Sequence, residues 1–203
     1  MLNILFSSPI AFIVLAVSLV IAITVHEFAH AFVADKLGDP TPKINDRLTL
    51  NPLSHLDPIG TLALLIASFG WGKPVPIDPY NLRNPKRDSA LISLAGPASN
   101  LILATLLSLL LKFTTLALPA SVIMAIIVLN VNLAVFNLLP IPPLDGSKIL
   151  VGFLPHDIAW KIEESLSRYG MILLIFLVFP FFGQSLAITI ISPIINLILS
   201  LLI

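Results

Sequence analysis

The chain has 203 residues, 57% of them hydrophobic and 11% charged, with 11 basic and 11 acidic side chains and a mean hydropathy of +1.02. A soluble domain carries about 25% charged residues, so the composition excludes a water-soluble globule. Zero net charge gives nucleic acid nothing to hold, and the absence of Cys excludes both a disulfide framework and a thiolate metal site.

Uncharged apolar runs occupy Ile10 to Val25, Ser89 to Leu111, Ala120 to Leu139 and Tyr169 to Ile203. At about 20 residues per crossing each is long enough to span a bilayer, and the last is long enough for two. The expected fold is an all-α polytopic membrane protein. It has about five to six transmembrane helices, a re-entrant segment and short membrane-associated β-strands. No Lys or Arg precedes the first run, so it reads as a retained helix rather than a signal peptide. No repeat or low-complexity linker divides the chain. Residues 1–203 read as one membrane-embedded domain, with a core of about 10–146 and accessory helices over about 157–203.

The first helix is expected from Ile10 to Leu37, stopped by Gly38 and Pro40. It carries "ITVHEFAHAF", Ile23 to Phe32, in which His26, Glu27 and His30 interrupt an apolar face. An ionisable group at the centre of a membrane helix costs on the order of 3 kcal/mol, so such a cluster persists only with partners. Next comes the most polar stretch of the chain. Lys36, Lys43 and Arg47 lie in its first half and Lys73, Arg83, Lys86 and Arg87 in its second. Between them Ile59 to Phe69 is apolar but too short to cross, and Asp57-Pro58 before it is a cap followed by a first helical residue. A re-entrant segment leaves all seven basic residues on one side, which the positive-inside bias makes cytoplasmic. "KINDRLTL", Lys43 to Leu50, and "KPVPID", Lys73 to Asp78, alternate well enough for short strands, the second confined to an edge by Pro74 and Pro76. Further along, "LAGPASN" puts Ala95, Gly96, Ala98 and Ser99 on a packing helix. After a connection around Lys112 to Pro119, the next span ends in "FNLLPIPPLDG", where Pro140, Pro142 and Pro143 break the helix just before Asp145. "DIAWKIEESLSRYG" is an amphipathic, interfacial lead-in to the final spans.

In His26-Glu27-Phe28-Ala29-His30 the two imidazoles are four residues apart and share one helix face, a spacing that chelates one metal ion. Glu27 follows the first ligand and is placed to take a proton from a metal-bound water rather than to bind. A catalytic zinc needs a third protein ligand. The extended pattern with a third histidine fails, because Val33 and Lys36 stand where glycine and histidine are required. Glu163 and Glu164 lie on the interfacial helix, and most aspartates sit in loops beside Lys or Arg. Asp145 alone follows a long apolar span through broken backbone, which membranes tolerate where it lines a wet cavity. His55 reads as a turn residue, Asp57 as a cap, and His156 and Asp157 as a helix start. Asn130 shares a face with Asn137, and either lines the same cavity or hydrogen-bonds across helices.

"HEFAH" together with "NLLPIPPLDG" resembles the site-2 protease family of intramembrane zinc metalloproteases. Asn137, Pro140 and Asp145-Gly146 match its N-x-x-P-x-x-x-x-D-G pattern, and "GPASN", Gly96 to Asn100, resembles a further recurrent segment. The resemblance implies one Zn2+ held by His26, His30 and Asp145, Glu27 as general base, and Asn137 contacting the reacting peptide or its oxyanion. Asn130 and Asn100 are expected to bind substrate. It further implies cleavage within or near the transmembrane segments of protein substrates in a lipid bilayer. The location it implies is a prokaryotic cytoplasmic membrane with the active site toward the cytoplasm. The inserted PDZ and appended CBS domains of many relatives are not expected, so substrate selection falls to embedded surfaces, to a homo-oligomer or to an accessory membrane protein. The rival readings are a non-proteolytic membrane metal-binding or transport protein, which has no need of Glu27, and a catalytically silent, client-binding relative.

Overall fold

A computed structural model of the chain describes residues 2–203 apart from 68, 69, 114–118, 181, 182 and 184. After a short α1 (Leu2–Ser7), α2 runs from Pro9 to Leu37. The Ser8 Oγ accepts the Ala11 N–H at its start, and Pro9 takes the first helical position, where a missing N–H costs nothing. Gly38 ends it at φ +109°, with the Gly38 N–H returning to the Asp35 carbonyl and the Asp39 N–H to the Ala34 carbonyl. A left-handed residue there is what lets both carbonyls be capped.

The expected strand at Lys43 to Leu50 is not formed. Thr41–Ile44 is one helical turn, α3, closed in the same manner: Asp46 is left-handed at φ +54°, and the Arg47 N–H bonds to the Pro42 carbonyl. Asp46 tolerates that conformation through its short polar side chain, and the resulting turn cannot continue as a strand. Lys73 to Asp78 forms no ladder either. Pro74 and Pro76 remove two donors, and three of the four N–H groups left, those of Lys73, Val75 and Asp78, go to the His55 carbonyl, Glu27 and Asp39. Among the described residues the only β pairing is a single antiparallel bridge between Leu56 and Gly72.

That bridge joins the two ends of the short apolar segment. α4 (Pro58–Ala67) starts with the Asp57 Oδ1 accepting the Gly60 N–H at 2.7 Å, the expected cap. Ten residues rise about 15 Å, half of a hydrocarbon core. Ser68 and Phe69, the end of the expected re-entrant stretch, lie outside the described residues.

α5 (Pro85–Phe113) and α6 (Ala120–Asn137) follow, then α7 (Asp145–Phe153), α8 (His156–Val178) and α9 (Leu186–Leu202). The connection expected around Lys112 to Pro119 falls largely outside the described residues. Among the described residues three helices, α2, α5 and α6, are long and apolar enough to cross a membrane. The further crossings expected over Tyr169 to Ile203 fall on the apolar end of α8 and on α9. At 17 residues α9 reaches about 25 Å, somewhat short of a full core. Ala104 of α5, Ile123, Ile127, Val131 and Val135 of α6, and Ile191 and Ile195 of α9 form one packed cluster. A smaller one joins Ala34, Leu82 and Ile92 where α2 meets α5. Large apolar side chains also cover the outer faces, among them Ile10, Ile13 and Val17 on α2 and Ile102, Leu106 and Leu109 on α5. Water would penalise such surfaces, whereas lipid is their natural solvent.

Candidate metal centre

α2 presents His26 and His30 one turn apart, both nearly buried, toward the start of α7. The Asp145 Oδ2 lies 3.0 Å from the His26 Nε2 and 3.3 Å from the His30 Nε2. Asp145 reaches that point because α6 ends at Asn137 and the chain turns through Leu138 to Leu144 before α7 begins. Gly146 lets α7 start there: a Cβ on it would stand 2.2 Å from the Leu138 carbonyl oxygen and 2.4 Å from that of Leu139.

The second nitrogen of each imidazole is already engaged. The His30 Nδ1 donates to the Ile92 carbonyl at 2.7 Å, and the His26 Nδ1 donates to the Asn100 Oδ1 at 2.7 Å. Asn100 is oriented in turn, its Nδ2 donating to the Ala22 carbonyl at 2.9 Å and to the Asn130 Oδ1 at 2.7 Å, while the Asn130 Nδ2 bonds to the Ile126 carbonyl. Because every acceptor in this chain is a carbonyl oxygen, both Nδ1 atoms carry the proton. Both Nε2 lone pairs are left facing the carboxylate.

These residues fit a metal ion. Their ligand atoms all lie within 4.8 Å of one another, and a tetrahedral site with bonds of about 2.0–2.1 Å has donor separations near 3.3 Å. Gly96 of α5 leaves the room. A Cβ there would lie 2.5 Å from the His30 Nε2 and 2.6 Å from the His26 Nε2, inside the space that an ion would share. Two nitrogens and one carboxylate oxygen are also a donor set typical of catalytic zinc, which keeps its fourth position open.

Glu27 is half-buried beside this group and outside it. Its Oε2 accepts the Val75 N–H at 3.2 Å. Arg47, 4% exposed, donates to the Lys73 carbonyl and so braces the same extended segment, while its Nε finds no partner. Burial draws the Arg47 guanidinium below its ordinary pKa, and the Glu27 carboxylate works in the opposite direction.

The structure thus gathers His26, His30 and Asp145, with Glu27 adjacent. It does not place Asn100 and Asn130 on a substrate surface. Both are 0% exposed: the Asn100 amide is committed to His26, Ala22 and Asn130, and the Asn130 amide to Asn100 and to its own helix, so neither lines a cavity. Asn137, half-buried at the end of α6, donates from Nδ2 to the Leu133 carbonyl of its own helix. His55 is fully buried with its Nε2 on the Thr49 carbonyl, as expected of a turn residue, and His156 opens α8. The contacts of Gly96 with the two imidazoles and of Arg47 with the Lys73 carbonyl go beyond the packing, recurrent-segment, strand and charge roles expected of them. The signal for Gly96 was its spacing: four residues before Asn100, it shares the α5 face that meets the His26 and His30 face of α2.

A membrane-embedded helical core with two histidines and an aspartate at one open point, and a glutamate beside them, has the construction of a zinc peptidase. The comparisons with known proteins agree. The profile of Peptidase family M50 matches residues 114–177, the part that contains Asn137 and Asp145. The "Putative zinc metalloprotease YwhC" of Bacillus subtilis is 40% identical over 176 residues, which cover 82% of this chain and 80% of that protein. The "Putative zinc metalloprotease Rip2" of Mycolicibacterium smegmatis is 34% identical over 178 residues, 83% of this chain and 68% of that protein. The chain belongs to peptidase family M50, the site-2 protease family. No solved structure matches it.

Proposed function

We propose that the chain is an intramembrane zinc endopeptidase that hydrolyses peptide bonds within or near the transmembrane segments of other membrane proteins. The observation that carries this reading is the convergence of His26, His30 and Asp145 on one point, with both Nδ1–H groups already engaged and Glu27 beside the group but not in it. His26, His30 and Asp145 would hold one zinc ion, which would supply a Lewis acid and lower the pKa of a bound water toward ~7. Glu27 accepts that water's proton at a carboxylate oxygen and passes it to the departing amine nitrogen, so one water is consumed per bond broken. Asn137 uses one of its two amide hydrogens on Leu133, which leaves the second for the substrate carbonyl as charge develops on it. Asn100 and Asn130 keep His26 aimed. The seven basic residues from the last turn of α2 to the first turn of α5 support a cytoplasmic position for this end of the protein under the positive-inside bias. Substrates are membrane proteins whose helices unwind locally, selected at embedded surfaces or with the help of a second copy or an accessory membrane protein.

The test is incubation of the purified protein with single-span substrates, with and without a zinc chelator, alongside three variants. The wild type is expected to cleave only when metal is present. Glu27→Gln should keep its zinc and lose about 10²–10⁴-fold in rate. Asp145→Ala should lose both, and Asp157→Ala neither. A zinc-loaded wild type that turns over no substrate would favour the client-binding reading. An active Glu27→Gln would remove the proposed base.

A further inference from the structure

One concavity among the described residues lies away from the metal centre. It lies where α2 ends and α5 begins, a cavity of about 450 Å³ whose walls include Lys36, Arg83, Asn84, Arg87 and Asp88. Three of these are cations, and among the described residues the only ion pairs are those of Asp145 with the two histidines. The one carboxylate in the wall is already used: Asp88 is 7% exposed and its Oδ2 accepts the Asn84 N–H at 2.8 Å, closing the first turn of α5. Lys36 has only the face of Phe32 beneath its ammonium, at 5.4 Å. Three positive charges therefore surround the cavity against one carboxylate, which pairs with none of them and leaves an excess of two positive charges.

The position of the cavity along the helices says what kind of anion fits. The His30 Nδ1 touches the Ile92 carbonyl, which fixes the level at which α2 and α5 cross. Lys36 is six residues beyond His30, and Arg87 is five residues before Ile92. At ~1.5 Å per residue both stand about 8–9 Å from the histidine level, on the same side. Lys36 lies in the last turn of α2, just before Gly38 stops the helix, so this is the depth at which two spanning helices leave the apolar layer. Directly beneath the cations the surface turns apolar. Phe32, one turn below Lys36, is 44% exposed, and Leu91 and Leu94, one and two turns from Arg87, are each 38% exposed. A polar mouth with three cations above an apolar track along two helices matches a phosphate headgroup above acyl chains, and basic pockets between transmembrane helices have that use. The cavity lies within the range of small-molecule sites, ample for a glycerophosphate group.

We infer that Lys36, Arg83 and Arg87 form a binding site for the phosphate headgroup of an anionic phospholipid, at the interfacial ends of α2 and α5. The site is separate from the metal centre and does not depend on the proteolytic reading. Arginine engages phosphate oxygens through its fork, and Lys36 adds a point charge on the opposite wall.

Native mass spectrometry of the full chain released from bilayers of equal phosphatidylglycerol and phosphatidylcholine reads the prediction directly. The wild type should retain phosphatidylglycerol over phosphatidylcholine by roughly tenfold or more, given three cations near the surface. The triple variant Lys36→Gln/Arg83→Gln/Arg87→Gln should retain the two lipids equally while keeping wild-type zinc content, which shows that it is folded. A control with the same loss of charge, Lys148→Gln/Lys161→Gln/Arg168→Gln, should keep the preference. Retention unaffected by millimolar inorganic phosphate at constant ionic strength identifies the lipid headgroup as the occupant. Displacement by phosphate would assign the pocket to a soluble phosphate and overturn the lipid assignment. Equal retention of both lipids by the wild type, or an equal loss in triple variant and control, would overturn the site itself.

Discussion

Gly96→Ala is the sharpest probe of the metal centre, because it adds a single methyl group to a helix that otherwise favours alanine. The new Cβ would meet the His30 Nε2 at 2.5 Å and the Cε1 and Nε2 of His26 at 2.6 Å. Ordinary contact is about 3.4 Å, so the shortfall is about 0.8–0.9 Å on two rings at once. Neither ring can yield freely. Each is tied through Nδ1, one to Ile92 and one to Asn100, and a ring rotation that relieves the clash breaks a buried hydrogen bond. The alternative is for α5 to back away from α2, a cost typical of overpacking at about 1–3 kcal/mol. Either way the protein should fold but its two Nε2 atoms should no longer share one ion. Outer-shell changes alone weaken metal sites about 10–100-fold, so a displaced ligand pair should lose at least about 100-fold in zinc affinity. Competition with a buffered chelator, followed by metal analysis, measures the affinity, and cobalt substitution reports the coordination geometry. Wild-type zinc affinity in Gly96→Ala, with an unchanged cobalt spectrum, would refute the placement of the ion between these rings.

Asn100→Leu removes the acceptor for the His26 Nδ1 and should weaken zinc about 10–100-fold, with Asn100→Gln recovering part of the loss; unchanged affinity in Asn100→Leu would deny the orienting role. Burial would raise the Asp39 carboxyl, but bonds from the Thr41 N–H, the Asn81 amide and the Asp78 N–H outweigh it and hold the group below its ordinary range. The stability it confers is therefore full above the unfolded value of about 3.9 and falls away as pH drops through the lower folded value. Asp39→Asn should accordingly destabilise more at neutral pH than near pH ~3 in detergent unfolding curves, and a gap that widens on acidification would contradict the sign. Lys43→Cys and Tyr80→Cys, on either side of α4, should label from the same face of the membrane because Leu56 and Gly72 pair; opposite-face labelling would mean that the segment crosses. Substrates whose Gly, Pro or Asn near the cleaved bond are replaced by Leu should be cut more slowly at subsaturating concentration, since those residues ease departure from the helix. Equal rates would remove unwinding from the limiting step.

The long elements and the three side chains that gather at the candidate metal centre are legible in the sequence for one reason: a bilayer imposes strict rules. Ile10 to Leu37 could only be a helix, and its end at Gly38 followed from the one residue there that adopts a left-handed conformation without strain. A histidine pair in such a helix needed partners, and Asp145 was the one carboxylate set after a broken span. What the sequence concealed depends on contacts between elements. The alternation in "KINDRLTL" favoured a strand, but Asp46 in the left-handed region and the short loop back to Pro42 turn the segment around. Asn100 and Asn130, polar residues in spanning helices, were open to either a cavity or a partner. Only the packing of α2, α5 and α6 shows that they are spent on His26 and on each other.

The loss of the first expected strand narrows where an unwound substrate could pair with the protein backbone in the proposed reaction. Were a substrate to add as a strand, it would have Lys73 to Asp78 alone to pair with, where Pro74 and Pro76 leave Val75 as the single amide donor between them, and that donor is bonded to Glu27. A substrate strand laid along this edge competes for the same N–H that holds the proposed base. Binding a peptide carbonyl at Val75 would free the Glu27 carboxylate at the moment when a water needs it, and an empty edge would keep it tied back. Arg47 stabilises the arrangement from behind through the Lys73 carbonyl. The two prolines then have a use beyond protecting an edge, because they reduce the choice of donors at that point to one. A residue pattern that reads locally as a poor strand would then, through the Val75 bond to Glu27, make the proposed base answer to the substrate.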